Sequence, residues 1–351
     1  MKSPGQMQPA GQEGGARQSS EARQSVLAAF GLSLRFDVAP PGAWVARAPS
    51  GEAGIRGAAS LPSLEIRSSV SAQAIEDSWS GLQEIGWAGV IDGAPFVVER
   101  GIAGDHRFVH GAHPDETRAI HHLSPDASVL QCAPADPADP SWWRVVLDSV
   151  LFTVALLHGY EALHAGAVAT PDGVIAITAA SGGGKSTLLS ELLGRELALM
   201  ADDVLVLEAR GTDFSLSPLT YPAPPLMTVP KTRLPIFGEG NLGGSNYSGT
   251  PEIICSLDDE HWIAVPVYPE PLRLKSLVLL DRQPGLQLSL EKIEDPLAPL
   301  MGSLMNFPHT PERQRTRFEL ASTLASNTTL WRLTADMDTP PDVLADVLLA
   351  G

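Results

Sequence analysis

Apolar residues fall into two regimes along the chain. Between residues 25 and 137 they come in short stretches, Ala28-Ala29-Phe30-Gly31-Leu32-Ser33-Leu34, Ala43-Trp44-Val45-Ala46 and Ala94-Pro95-Phe96-Val97-Val98, separated by Gly, Pro and Asp. Runs of that length between turn-forming residues predict short strands, hence a small α+β or β-rich N-terminal domain over 25–140. The Pro- and Asp-rich stretch 133–140 predicts a linker or sharp connection. From 141 to 159 apolar residues recur at helical spacing, with Ser141 placed to cap the helix and Gly159 to stop it.

The pattern then changes to strand–turn–strand. Leu163-His164-Ala165-Gly166-Ala167-Val168-Ala169, a Pro171-Asp172-Gly173 turn and Val174-Ile175-Ala176-Ile177-Thr178 predict a hairpin. Its second strand leads into Ser181-Gly182-Gly183-Gly184-Lys185-Ser186-Thr187. A helix is expected over 186–193, ending near Gly194, and a strand over 197–201 that runs into Asp202-Asp203. Val204-Leu205-Val206-Leu207-Glu208 and Phe214-Ser215-Leu216-Ser217 flank Gly211-Thr212-Asp213 as a second hairpin. The Pro-rich stretch 218–235 and the Gly-rich stretch 238–249 read as loops. A returning strand over 272–280, a helix over 311–326, a strand over 329–333 and a last helix over 340–349 complete an α/β domain spanning 141–351.

Composition narrows the function. The 351 residues are 44% hydrophobic and 19% charged, enough for a sizeable core. A formal net charge of −17 argues against a nucleic-acid partner, which would call for clustered Lys and Arg. Cys132 and Cys255 lie far apart without metal-ligand spacing and read as free thiols. Residues 1–24 are rich in Gly, Gln and Ser and poor in large apolar side chains, so a disordered tail without a secretory signal is expected. The most apolar run, 145–157, is broken by Asp148 and too short to cross a bilayer; it reads as a buried helix, with no membrane insertion and a cytoplasmic location. Homo-oligomerisation stays open.

The strand–glycine–Lys-Ser–helix order is that of a P-loop. Successive glycines let backbone N–H groups converge on a polyphosphate while the helix adds its positive end. Lys185 would then reach the β- and γ-phosphates of ATP and Ser186 would hold Mg²⁺, with Ser181, Gly182, Gly183, Gly184 and Thr187 completing the cradle. The first glycine of the usual pattern is here Ala179, which is tolerable while its φ stays negative. Asp202 and Asp203 follow Lys185 by 17 (202 − 185) and 18 (203 − 185) residues. One of the two carboxylates can hold the metal, directly or through water, and the other can accept the proton of an attacking hydroxyl.

Leu163-His164-Ala165-Gly166, the glycine loop and Ala201-Asp202-Asp203 together resemble the catalytic core of the HPr kinase/phosphorylase family. His164 stands 21 residues before Lys185 (185 − 164), as the active-site His of that family does. The resemblance is close over 163–208 and reaches the rest in outline. It implies an HPr-kinase-like P-loop domain at the C-terminal side, a serine kinase using ATP and Mg²⁺, and a catalytic role for His164 beside Lys185 and Asp203. The small N-terminal domain and the Pro-rich segment suit the HPr-kinase-like branch associated with peptide-modifying gene clusters, including those for lasso peptides. The acceptor would be a hydroxyl of a peptide or protein. The metal-ligand Glu of the dedicated enzymes has no counterpart in Pro224-Pro225-Leu226-Met227-Thr228-Val229-Pro230-Lys231, and their Arg region is not recognisable, although Arg273 and Lys275 fall nearby. A nucleotide-binding subunit without transfer, and an NTPase with water as acceptor, stand as alternatives.

Other charged groups read as structural. His110, His113, His121 and His122 lack an accompanying Cys and are expected on a solvated surface. Arg313, Arg315 and Arg317 are expected on a solvated helix face. By family outline Lys231 and Arg233 would approach nucleotide or substrate.

Overall fold

The computed structural model describes residues 26–38, 40–41, 61–91, 93–111, 118–195, 197–209, 216–237, 252–256, 259–305 and 311–350. The tail expected at 1–24, the Ala43-Trp44-Val45-Ala46 stretch, His113, the Gly211-Thr212-Asp213 turn with Phe214 and Ser215, and the 238–249 stretch lie outside the described residues.

The short apolar runs of the first part pair into one sheet. Its strands are β1 (Val26–Ala29), β2 (Leu32–Phe36), β3 (Ser63–Arg67), β4 (Leu82–Ile91), β5 (Ala94–Gly101), β6 (His106–His110), β7 (Ala119–Leu123) and β8 (Val129–Ala133). They lie in the order β1-β2-β3-β8-β7-β6-β5-β4. The helix α1 (Ala72–Ser78) covers one face, where its Ile75 packs on Ile120 and Ala133.

The helix expected after the linker, α2, is continuous from Trp142–Val145 through a π-turn, Val146–Val150, to Leu151–Leu157. Ser141 takes the N-cap position but its side chain bonds no helix amide; the Asp139 carboxylate accepts from Ser141 N at 2.9 Å and from Ser141 Oγ at 2.6 Å. Gly159, at φ 91°, ends the helix. α2 is buried on nearly all sides and shares one apolar core with Leu32, Phe108 and Leu130 of the first sheet and Leu163, Leu205 and Leu207 beyond it.

The second part forms a larger sheet around two parallel pairings. Strands β9 (Glu161–His164), β10 (Gly166–Thr170), β11 (Gly173–Ala179), β12 (Ala198–Ala201), β13 (Val204–Leu207), β14 (Leu219–Tyr221), β18 (Leu272–Arg282), β19 (Ser289–Lys292) and β20 (Thr329–Ala335) belong to it, in the order β12-β10-β11-β18-β14-β13-β9. β20 runs parallel to β18 and carries β19 on its far side. β11 up to Ile177 and the Leu277–Leu280 middle of β18 are continuous apolar runs, as expected where a strand is buried on both faces. The helices α3 (Lys185–Gly194) and α6 (Pro341–Ala350) cover one face through Leu188, Leu192, Leu344 and Leu348, while α4 (Leu297–Ser303) and α5 (Pro311–Asn327) join the core shared with the first sheet. A third sheet, β15 (Leu226–Pro230), β16 (Glu252–Ser256) and β17 (Glu260–Ala264), stands beside α3.

Three sequence expectations change. The partner of β13 in the second hairpin is β14, three residues further on than Leu216, with Val206 opposite Tyr221. The stretch 218–235, expected as loop, contains β14, β15 and a 3₁₀ turn over Lys231–Phe237; its prolines are tolerated because β15 is an edge strand, where Pro230 costs no ladder bond that an interior strand would need. His121 and His122, expected at the surface, are buried in β7, which is covered on both faces. The fold is thus mixed α/β with three sheets and few helices, and among the described residues no helix is long and apolar enough to cross a membrane.

The first sheet docks onto the second through the tip of its β1–β2 hairpin. Phe30 is held at φ 54°, a left-handed conformation that costs a bulky residue ~1–3 kcal/mol. Docking offsets it: Phe30 is buried, its N–H donates to Pro222 O at 2.8 Å, and Tyr160 Oη donates to Gly31 O at 3.2 Å.

Candidate functional site

Two chain breaks assemble the site. A single residue, Ala165, joins β9 to β10, and Asp202-Asp203 join β12 to β13. β10 pairs with β12 while β9 pairs with β13, with His164 opposite Val204 and Ala167 opposite Ala201. Each end strand is therefore joined to the second strand of the opposite end, β9 to β10 and β12 to β13, and the acidic pair is the second of these joints. Partner switching of this kind leaves a crevice at the strand ends, the usual place for a ligand in α/β sheets.

Gly166 permits the closeness. A Cβ there would stand 2.7 Å from Asp202 O and 3.0 Å from Leu189 Cδ2, so only glycine lets β10 pass between the acidic pair and α3.

β11 delivers the glycine loop to the same level. Ala179 is the last residue of the strand, and its φ is not positive. Gly182 and Gly184 take φ 73° and 90°, and Gly183 N donates to Ala180 O at 2.8 Å, closing the turn. Gly184 is the N-cap of α3 and has no side chain to satisfy the first amides of the helix, so those donors stay aimed into the loop. Ser181 and Gly182 are exposed, whereas Lys185, Ser186 and Thr187 begin α3 and are half-buried.

Lys185 Nζ meets Asp203 Oδ1 in a direct ion pair and lies 3.4 Å from Asp202 O. His164 Nε2 approaches the same Asp203 oxygen at 3.5 Å. Burial acts to raise the pKa of Asp203, but the Lys185 ammonium and the nearby His164 more than offset it, so the carboxyl is held below its ordinary value. Asp202 behaves oppositely. Burial pushes it up to about 7, against the lowering pull of Lys185 and of Thr228 N, which donates to its Oδ2 at 2.8 Å. Its Oδ1 is buried without a hydrogen-bond partner. Adjacent carboxylates with pKa values driven apart are a familiar mark of acid–base sites.

A cleft of about 450 Å³ opens in front of these groups. His164, Ser186, Asp202 and Asp203 line it together with Arg144 and Asp148 of α2, Thr228 of β15 and Glu260 of β17. Trp87, Val90 and Ile91 of β4 close it from the first sheet.

Of the residues singled out in the sequence, the structure thus gathers His164, Lys185, Ser186, Asp202 and Asp203 at one place. Lys231 and Arg233 do not line the cleft. Arg273 and Lys275 are at the opposite end of β18, where Arg273 donates to Ser217 O and Lys275 pairs with Asp172 at 3.1 Å. Arg282, at the other end of that strand, was not anticipated. Its guanidinium is so close to the loop that a Cβ on Gly184 would lie 2.9 Å from Nη1; Nη2 is held by the carbonyls of Met337 and Thr339, while Nε is buried without a partner. Its sequence signal was its place at the C-terminal end of a strand parallel to β11. Arg144 and Glu260 carried no such signal, because pairing between distant segments brings them in.

The Arg-rich helix also departs from expectation. Arg313 grips the buried Glu161 in a bidentate pair, Nε to Oε1 at 3.0 Å and Nη2 to Oε2 at 2.6 Å. Arg317 is buried and donates to Leu304 O at 3.0 Å. Only Arg315 lies on a solvated face, beside Glu319.

The residues present fit a magnesium nucleotide. Asp202, with an orphaned carboxylate oxygen, and Ser186 line the cleft beside a loop whose Gly182 and Gly184 take positive φ. Among the described residues no three His, Cys, Asp or Glu side chains converge as a metal cage.

No family model matches the chain, and no curated protein does. Among solved structures it is similar to that of the HPr(Ser) kinase/phosphatase from Coxiella burnetii, at 11% identity over 54% of this chain and 94% of that one, with a TM-score of 0.27. At that score the likeness decides neither fold nor function.

Proposed function

We propose that this chain is an HPr-kinase-like P-loop phosphotransferase that moves the γ-phosphate of ATP to a hydroxyl, a serine of a peptide or protein. The observation that carries the reading is the convergence on Asp203, whose one carboxylate oxygen meets both Lys185 and His164 at the mouth of the glycine loop.

The glycine amides and the first turn of α3 would seat the phosphates, with Arg282 beside Gly184 as a further cation. A polyphosphate on the loop draws the Lys185 ammonium away from Asp203. The carboxylate then loses the charge that held its pKa down and gains proton affinity when a hydroxyl is to be deprotonated. Asp203 takes the serine proton as the serine oxygen bonds to the γ-phosphorus, the bond to the β,γ-bridging oxygen breaks, and ADP leaves. His164 would orient that hydroxyl and counter the charge of Asp203. Mg²⁺, when held by Ser186 and Asp202, supplies charge neutralisation on the phosphates. Catalysis of this type rests on positioning and electrostatics more than on base strength.

The test is ATP·Mg²⁺ affinity by calorimetry, beside transfer of labelled phosphate to serine-containing peptides over a Mg²⁺ series. Transfer that depends on Lys185 and Asp203 supports the kinase. Phosphate released only to water makes the chain an NTPase, and binding without turnover makes it a nucleotide-binding subunit.

A further inference from the structure

β4 is the outermost strand of the first sheet, with no further strand beside it among the described residues. It spans ten residues, and its exposed apolar side chains include Leu82, Ile85 and Val90, the last at 68%. Long apolar edges are templates for another strand, and proteins normally guard them. β4 is guarded along one half only. Its pairing with β5 is broken by irregularities between Leu82 and Glu84 and between Ile85 and Trp87, whereas Trp87 to Ile91 pair in unbroken register with Val98 to Ala94. That regular half contains no charge and no proline, and its Trp87, Val90 and Ile91 line the cleft that holds Asp203.

The direction of its backbone groups follows from one proline. Val90 stands opposite Pro95, which has no N–H to exchange, and Pro95 O is taken from the other side by Gly111 N at 2.9 Å. Val90 and Pro95 therefore form a non-hydrogen-bonded pair, and by alternation so do Ala88 and Val97. The N–H and C=O groups of Ala88 and Val90 point out of the sheet.

We propose that the acceptor peptide binds as an added strand on the Trp87–Ile91 half of β4, which leads its serine into the cleft. This rests on the kinase reading for the chemistry and on the edge alone for the binding. The occupant is an extended segment with small or apolar residues alternating along it, and the net charge of −17 favours a neutral or basic peptide over an acidic one. Main-chain bonds to Ala88 and Val90 give affinity with little demand on side chains, while continuity with the cleft sets where the hydroxyl lands.

The experiment uses the full chain and a panel of synthetic serine-containing peptides, each also made with alternate backbone amides N-methylated. Hydrogen exchange is followed in the 82–91 segment with and without peptide, in the absence of ATP. Slowed exchange at Ala88 and Val90 with an unmethylated peptide, lost with its methylated form, supports the proposal. In the transfer assay Ala88→Pro, which removes one outward N–H and spares the β4–β5 ladder, is expected to raise KM for the peptide by at least about tenfold with ATP affinity unchanged. Transfer with unaltered KM in Ala88→Pro, or peptide binding without protection at Ala88 and Val90, overturns the edge and leaves the kinase reading intact. Protection without any transfer sinks the kinase reading and leaves the edge standing. Protection that grows with protein concentration and needs no peptide shows two copies pairing through β4, and overturns the proposal.

Discussion

The two larger sheets each carry a histidine–aspartate pair, and the pairs differ in what surrounds them. In the first sheet His122 Nε2 lies 2.9 Å from Asp105 Oδ2, with side chains only 10% and 2% exposed. Each polar side-chain atom there has a partner: Asp105 also accepts from Ser80 N and Ser80 Oγ, His122 Nδ1 meets Gln131 Oε1 at 3.2 Å, and the Trp79 ring stands edge-on to the imidazole. Burial acts to raise the pKa of Asp105, but the bonds from Ser80 and His122 outweigh it. In the second sheet His164 and Asp203 are 51% and 60% exposed, Asp203 also pairs with Lys185, and both face the cleft. The same two residue types make a closed, bonded clamp in the first sheet and an open, cleft-facing pair in the second.

The largest effect that would break this contrast is expected at Lys185. Lys185→Ala should lower transfer by about 10³-fold or more while leaving stability within ~1 kcal/mol of wild type, since its partner is exposed. Labelled-phosphate transfer beside a urea melt checks both halves; unchanged turnover would remove the kinase assignment.

Asp105→Ala is the mirror image. It should cost about 2–4 kcal/mol of stability by stranding His122 and Ser80, with kcat per folded molecule unaltered. A loss of kcat at full folding would mean that the first-sheet pair is chemical after all.

Asp203→Asn should come next, with transfer reduced about 10²-fold and ATP affinity retained. Equal rates in the variant and wild type would exclude Asp203 as the base.

The smallest effect sharpens the comparison within the acidic pair. Asp202, pushed up to about 7 by burial, binds its proton more tightly folded than unfolded, so wild-type stability falls between about pH 4 and 7 relative to Asp202→Asn. Above that range the two curves run parallel. Without Mg²⁺, the difference in Tm should change by ~2–4 °C across the window; a flat difference would show that Asp202 is ionised throughout.

The elements that carry the glycine loop and the acidic pair were legible in the sequence because they are local. Ser181 to Thr187 need only a strand before and a helix after, and β11, α3 and β12 follow from apolar runs of the right length and period. The core strand β18 and the helices α5 and α6 were legible for the same reason, to within a few residues at their ends. Prolines concealed β14 and β15, since composition does not tell an edge strand, which accepts proline, from a loop.

Partners distant in sequence were decided by tertiary structure alone. Residues 161 and 313 become a buried ion pair only when α5 packs over β9, so the face expected in solvent is half internal. His121 and His122 are polar by type but lie inside because α1 and the shared core cover β7 from both sides. The meeting of Arg144, Glu260 and Trp87 around Asp203, and of Arg282 with Gly184, depends on which strands pair at the sheet ends and on how the first sheet docks through Phe30. Local sequence specifies φ, ψ and the period of burial; it carries no term for which distant strand supplies the neighbour, and that choice is made by packing of the whole core.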